Sequence, residues 1–137
     1  MIEIRQVSVD DVLPLRQEVL WPDKPLSYVK IDNDDEGVHF GLYVDDLLVT
    51  VISVFIEKGQ AQFRKFATLE SYRGCGYGSR IFKHMLAYLS DQSVQRVWCN
   101  ARLEATDFYR RFGFKERAIE IFYKGDVAYT IMEKNMT

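Results

Sequence analysis

The chain reads as one α+β (α/β) domain, a mixed and mostly antiparallel sheet flanked by helices. Three observations predict it. Residues 38–68 fall into three strand-like runs separated by the tight breaks Asp45-Asp46 and Lys58-Gly59, and such hairpin spacing makes neighbouring strands antiparallel. A glycine-rich break at 73–79 then opens a stretch whose apolar residues recur at helical spacing. That stretch runs into another apolar, strand-like segment, which makes one β-α-β unit with parallel strands and a right-handed crossover.

The elements follow in order. Ile2 to Val7 is a first strand. Val12, Leu15 and Val19 recur as on a helix, which should begin near Asp10 or Asp11, either of which could cap it. Pro14 fits only near that start, and Trp21-Pro22 ends the helix. Residues 22–37 are polar and irregular, and the acidic cluster Asp32, Asp34, Asp35, Glu36 reads as a solvated turn. Strands follow at Val38 to Val44, Leu47 to Glu57 and Gln60 to Thr68. In the last, a period of two puts Gln62, Arg64 and Phe66 on one face and Phe63, Lys65 and Ala67 on the other. A helix runs from about Gly76 to Ser90, with Ile81, Phe82, Met85, Leu86 and Leu89 as its stripe. Val94 to Asn100 is a buried strand. Ala105, Phe108, Tyr109 and Phe112 mark a short helix that Gly113 stops. Phe114 to Tyr123 and Val127 to Met132 close the chain as two strands around Lys124-Gly125-Asp126. The element order is β-α-β-β-β-α-β-α-β-β.

At 137 residues the chain is a single domain, 1–137, by size. Its net charge of -2 argues against nucleic acid or an anionic membrane as the main partner. The two cysteines, Cys75 and Cys99, have neither zinc-ligand nor disulfide-framework spacing, so no metal is expected. The first residues lack the apolar core of a signal peptide, and no apolar run nears the ~20 residues that span a bilayer. A cytoplasmic setting is the default expectation.

Chemistry concentrates in Arg73-Gly74-Cys75-Gly76-Tyr77-Gly78-Ser79-Arg80. A glycine-rich turn at a helix start can offer bare amide N–H groups to an anion, most often a phosphate. Neither common nucleotide motif fits. The Gly-Lys-Ser/Thr of a Walker loop is absent, and the glycines run G-x-G-x-G rather than G-x-G-x-x-G.

The pattern R-x-x-G-x-G at Arg73, Gly76 and Gly78 resembles the acyl-CoA pyrophosphate loop of the GCN5-related N-acetyltransferase (GNAT) superfamily. Phe66-Ala67-Thr68-Leu69 looks like that family's strand bordering the acyl-CoA. Phe108-Tyr109-Arg110-Arg111-Phe112-Gly113-Phe114 is similar to its F-Y-x-x-x-G-F helix. The resemblance covers roughly residues 1 to 134. It implies a GNAT-like fold and acetyl-CoA as co-substrate, held through Arg73, Gly74, Cys75, Gly76, Tyr77, Gly78 and Ser79. It further implies backbone pairing of Phe66 and Thr68 with the pantetheine arm, and Asn100 beside that arm where two strands splay. The activity implied is transfer of an acetyl group to an amine of a small molecule or protein by direct attack on the thioester. An amide near Phe66-Ala67 would steady the oxyanion, and Tyr109 would be the acid for the leaving thiolate. The family also contains homodimers.

One position departs from the family pattern. Where several members carry Glu, this chain has Gln62, which cannot take a proton. Water, Glu57, His39 or Glu120 is left to deprotonate the amine. Gln62, Arg64, Arg102 and His39 are the candidate substrate residues, and a basic side chain there favours an acceptor with its own carboxylate or phosphate. The departure also leaves open a non-catalytic acyl-CoA-binding module of the same fold.

Overall fold

The computed structural model describes residues 1–136. One eight-stranded sheet runs through it in the order β1-β2-β3-β4-β5-β8-β6, with β7 also on β8. The strands are β1 (Ile2–Val7), β2 (Val38–Val44), β3 (Leu47–Glu57), β4 (Gln60–Thr68), β5 (Arg96–Arg102), β6 (Lys115–Glu116), β7 (Phe122–Lys124) and β8 (Val127–Asn135). Every pairing is antiparallel except β4 with β5. The helices are α1 (Val9–Leu20), α2 (Leu26–Val29), α3 (Tyr77–Asp91) and α4 (Thr106–Arg110). The three central strands and both hairpin breaks fall where the sequence places them, and both residues of Asp45-Asp46 and of Lys58-Gly59 have positive φ. Two left-handed residues suit a tight hairpin, because their twist matches that of the strands.

The sheet carries apolar matter on both faces. On one, Phe40, Ile52, Val54 and Phe63 pack with Ile81, Phe82, Met85 and Leu89 of α3. On the other, Val51 and Ala67 pack against Val12 and Leu15 of α1.

Five details differ from the sequence expectation. The cap of α1 is Ser8, not Asp10 or Asp11. The Asp11 amide donates to Ser8 Oγ (3.3 Å) and the Ser8 amide to Asp11 Oδ2 (3.1 Å), a reciprocal capping box. Pro14 therefore lies past the first turn, on the exposed side of the helix. β5 starts at Arg96, two residues later than expected. Val94 is spent in closing α3, its amide reaching the Leu89 carbonyl (3.3 Å) with Ser93 at φ +58°. The expected strand from Phe114 to Tyr123 is broken into β6 and β7. Arg117 N–H donates to the Ile131 carbonyl and Phe122 pairs Tyr129, so residues 118–121 all stand opposite Thr130. The surplus loops outward.

The fourth difference is in β4. Val51 pairs with Ala67 but Ser53 with Arg64, so Lys65 and Phe66 share the place opposite Ile52. This is a β-bulge, and Lys65 takes φ +56° within it. The strict alternation fails there. Phe63 and Phe66 both pack on Phe82, on the α3 side. Arg64, paired with Ser53, belongs to the α1 side instead of sharing a face with Phe66.

The fifth is the acidic segment. Asp34 is fully buried, not solvated. Both its oxygens accept from the Arg16 guanidinium (2.7 and 2.9 Å), and Oδ2 also accepts from the Ile31 amide (2.7 Å). Arg16, equally buried, donates further to the Val29 carbonyl and Ser53 Oγ. One ion pair thus ties α1, the segment after α2 and β3 together. Removing one partner strands a buried charge, so Arg16→Met should lower the unfolding free energy by about 3–5 kcal/mol in urea titration. Burial opposes ionisation of Asp34, but the Arg16 and Ile31 hydrogen bonds and the Arg16 charge hold its carboxyl below the usual range. Its contribution is then complete above about pH 4 and is lost as pH falls through the depressed value. Asp34→Asn should flatten that acid limb.

Candidate active site

β4 and β5 pair only at Gln60, Ala61 and Gln62 against Arg96, Val97 and Trp98. Beyond Gln62 the two parallel strands separate. β4 continues to Thr68 against β3 and β5 to Arg102 against β8. Each strand therefore turns an unpaired edge toward the gap, and unpaired backbone there is a template for a further extended chain. Gln62 stands at the crotch of this fork, flanked by Phe55 and Trp98.

The glycine loop lies beyond the end of β4. The first hydrogen bond into α3 is Arg80 N–H to the Gly76 carbonyl (3.1 Å), so the amides of Tyr77, Gly78 and Ser79 have no partner within the helix. No side chain caps this helix and no acidic residue lies in its first turn, in contrast to α1. The three glycines serve different ends. Gly74 (φ +77°) and Gly76 (φ +82°) take backbone that L side chains rarely adopt, and a Cβ on either would meet nothing within 4 Å. Space is therefore open above the amides. Gly78 instead lets α3 approach β4, since its Cβ would lie 3.4 Å from Phe66 Cζ. Arg73 and Cys75 are exposed, and Arg73 Nε donates to the Thr68 carbonyl (3.2 Å), tying the loop to the strand end. Thr68 Oγ1 accepts from Thr50 (3.1 Å), and Ala67 is buried against α1. This cradle of open amides suits a diphosphate, so the residues present fit the acyl-CoA that the resemblance implies.

Tyr109 sits on α4 among Phe63, Phe82, Phe108 and Phe114, with ring centroids 5.3 to 6.2 Å away. Arg110 pairs with Asp107 on its own short helix (2.7 Å) and ties that helix to β6 through Glu116 (3.0 Å). Among the described residues nothing hydrogen-bonds the Tyr109 hydroxyl. Burial above all, and then Cys99, pushes the phenol well above its usual range, with Arg102 opposing. The group stays protonated and keeps a proton to donate. Asn100 is half-buried on β5 opposite Ile131.

The other candidates separate. Arg64 lies on the α1 side with Lys65 beside it in the bulge. Arg102 is exposed at the end of β5, 3.8 Å from Glu104. His39 is 3% exposed and has no free nitrogen: Nδ1 lies 2.6 Å from Ser53 Oγ and Nε2 2.9 Å from the Asp34 carbonyl. A carbonyl only accepts, so the proton is on Nε2 and Ser53 donates to Nδ1. His39 belongs to the Arg16–Asp34 network, which corrects its reading as a substrate residue or base. Glu57 pairs with Gln60 at the closed end of the fork, away from the gap. No residue pattern marks the bulge or the electrostatic reach of Lys124 to Lys65, and for Arg16 as Asp34's partner the one signal is its position among the apolar residues of α1. Among the described residues no three His, Cys, Asp or Glu side chains are grouped to hold a metal, and no helix is long and apolar enough to cross a membrane.

A sheet forked beside an uncapped, glycine-opened helix is the arrangement that the GNAT resemblance implies. Comparison with known proteins agrees: the family model "Acetyltransferase (GNAT) domain" matches residues 24–136, and the chain belongs to that family. "Uncharacterized N-acetyltransferase YitI" of Bacillus subtilis (strain 168) is 30% identical over 145 residues, covering 99% of this chain and 97% of that one. Among solved structures, the ribosomal-protein-S18-alanine N-acetyltransferase of Escherichia coli superposes with TM-score 0.84 at 17% identity, covering 100% of this chain and 95% of that one. An aminoglycoside 6'-N-acetyltransferase complexed with coenzyme A superposes with TM-score 0.79 at 13% identity, covering 98% of this chain and 97% of that one. At those identities the two structures speak for the fold.

The two thiols should behave oppositely. Cys75 is exposed, whereas Cys99 is buried and its pKa is pushed up to about 12 by burial. A thiol-labelling time course should show one fast equivalent in the folded protein, abolished by Cys75→Ser, and a second only on unfolding.

Proposed function

We propose that this protein is an acetyl-CoA-dependent N-acetyltransferase that acetylates a primary amine by direct attack on the thioester. The observation that carries this reading is the fork between β4 and β5 with the open amides of residues 74–79 at its mouth. Acetyl-CoA, when bound, supplies a thioester carbon on which the amine nitrogen forms a C–N bond while the C–S bond breaks. The chain's residues do the rest. Loop amides from Arg73 to Ser79 hold the diphosphate at the positive end of α3. Backbone groups of Phe66 and Thr68 and the Asn100 edge of β5 line the arm's path. An amide of the bulged Phe66-Ala67 segment donates to the oxyanion. Tyr109 donates its phenolic proton toward the departing sulfur. Gln62 at the crotch can orient an amine but not deprotonate it, so the amine loses its proton to water. The acceptor is an amine of a small molecule or a protein.

Gln62 also supports a second reading, in which the fold binds acyl-CoA without turnover. Acetyl-CoA should raise the melting temperature under both readings, while release of free CoA with an amine panel occurs only under the first. Gly76→Glu should abolish acetyl-CoA binding by calorimetry, because it forces a non-glycine residue to φ +82° and fills the cradle with negative charge. Tyr109→Phe should keep acetyl-CoA affinity and lower kcat by ~10²-fold or more. Turnover at the parent rate would make Tyr109 a packing residue only.

A further inference from the structure

The acetyl-transfer reading leaves a group of cations on the α1 side of β4 without a task. Lys65 is half-buried at the bulge with φ +56°, a conformation that lysine rarely takes. Backbone held in so sparse a region tends to cluster where side chains must be aimed. Arg64 precedes it, paired with Ser53 on the same side. Lys124, at the end of β7, lies with its ammonium 5.5 Å from the centre of the Tyr129 ring. Tyr129 pairs with Arg102 across β5 and β8. Burial foremost, and then the positive charges of Arg64, Arg16 and Lys124, hold the Lys65 ammonium below the usual lysine range, and Asp34 is the acid that opposes them.

Asp34 cannot serve as their counter-ion. Both its oxygens are committed to Arg16, and one also to the Ile31 amide. Among the described residues the side chains of Arg64, Lys65 and Lys124 make no hydrogen bond and have no carboxylate within 4.0 Å. A half-buried cation among like charges is unfavourable unless an anion completes the site. The cofactor cradle and Tyr109 belong to the α3 and α4 side of the sheet, whereas these cations belong to the α1 side. The fork is the gap between the two sides.

We propose that Arg64, Lys65 and Lys124 form the recognition site for an anionic group, carboxylate or phosphate, carried by the amine that is acetylated. The proposal rests on the acetyl-transfer reading above and adds the substrate class. Arg64 offers a planar fork of donors that suits either oxyanion, and the two lysines supply point charge. An acceptor held there by its anion presents its amine toward the fork from the side opposite the cradle.

The test compares matched acceptors with acetyl-CoA: an α-amino acid against its methyl ester, and an aminoalkyl phosphate against the corresponding amino alcohol. The parent protein should favour the anionic member of a pair by about tenfold or more in kcat/KM, the usual size of one charge-assisted hydrogen bond. The pair showing the larger ratio tells carboxylate from phosphate. Lys65→Asn, which tolerates a left-handed backbone, and Arg64→Gln should each reduce that ratio about tenfold through KM, with acetyl-CoA affinity by calorimetry unchanged. Equal kcat/KM within both pairs, or ratios unmoved in both variants, overturns the proposal. The same comparison is made without turnover by titrating the CoA complex with an N-acetyl amino acid and with its methyl amide. Preference for the acid supports the site, and equal binding overturns it. Loss of acetyl-CoA binding in the parent protein would instead strike the acetyl-transfer reading.

Discussion

Everything that makes this sheet a site follows from three paired residues. Parallel strands joined by a helix ordinarily zip along their shared length. Here β4 and β5 do so only from Gln60 to Gln62. Past that point β4 is claimed by β3 and β5 by β8, and the twist of the two halves carries them apart. The bulge at Lys65-Phe66 reinforces the divergence, because an extra residue bends the strand that contains it. The result is a gap with backbone donors and acceptors on both walls.

Packing on one side holds the fork in shape. Phe63 and Phe66 both rest on Phe82, and Phe108, Tyr109, Phe112 and Phe114 close around the same ring. Edge-on and tilted aromatic pairs contribute about 0.5–1.5 kcal/mol each beyond burial. The bulge places two aromatic residues three apart in sequence on one face, which an unbroken strand cannot do. Among the described residues Tyr109 is thereby fixed by its ring while its hydroxyl remains unpaired. α3 starts without a side-chain cap, which leaves its first amides open, whereas α1 starts with a full capping box.

The sequence carried the fold well where a physical rule was local. Hairpin breaks, the α3 stripe and the glycine-opened start of α3 each depend on residues within a few positions, and all are found as expected, as is the parallel pairing of β4 with β5 that the longer β-α-β pattern predicts. It failed where the outcome depends on distant partners. The bulge arises from how β3 and β4 register, and no residue type in Arg64-Lys65-Phe66 announces it. Asp34 read as solvated because its partner, Arg16, is 18 residues away on a helix where it stood among apolar positions. That spacing was the one available clue, since a charged residue on the buried stripe of a helix must find a counter-charge. His39, carried as a candidate base, is engaged on both nitrogens by partners that lie on other elements. The break at 117–121 follows from the pairing offset on β8, which no local pattern encodes.

The acidic balance of the whole chain, 20 acids against 18 bases, conceals a local reversal. Asp34 is the acid nearest in effect to the bulge, and the Arg16 guanidinium satisfies it with paired hydrogen bonds in a fully buried setting. The pair is close to neutral as a unit. It therefore stabilises the α1 side of the sheet without neutralising the cations outside it. An ordinary surface lysine would turn into solvent and be screened. Lys65 cannot do so freely, because the bulge fixes its backbone and burial limits its side chain. A net charge counted over the sequence says little about such a site. Because Arg16 already satisfies Asp34, the charges of Arg64, Lys65 and Lys124 are left without that acid as a partner, and under the proposal above an anionic acceptor would supply it.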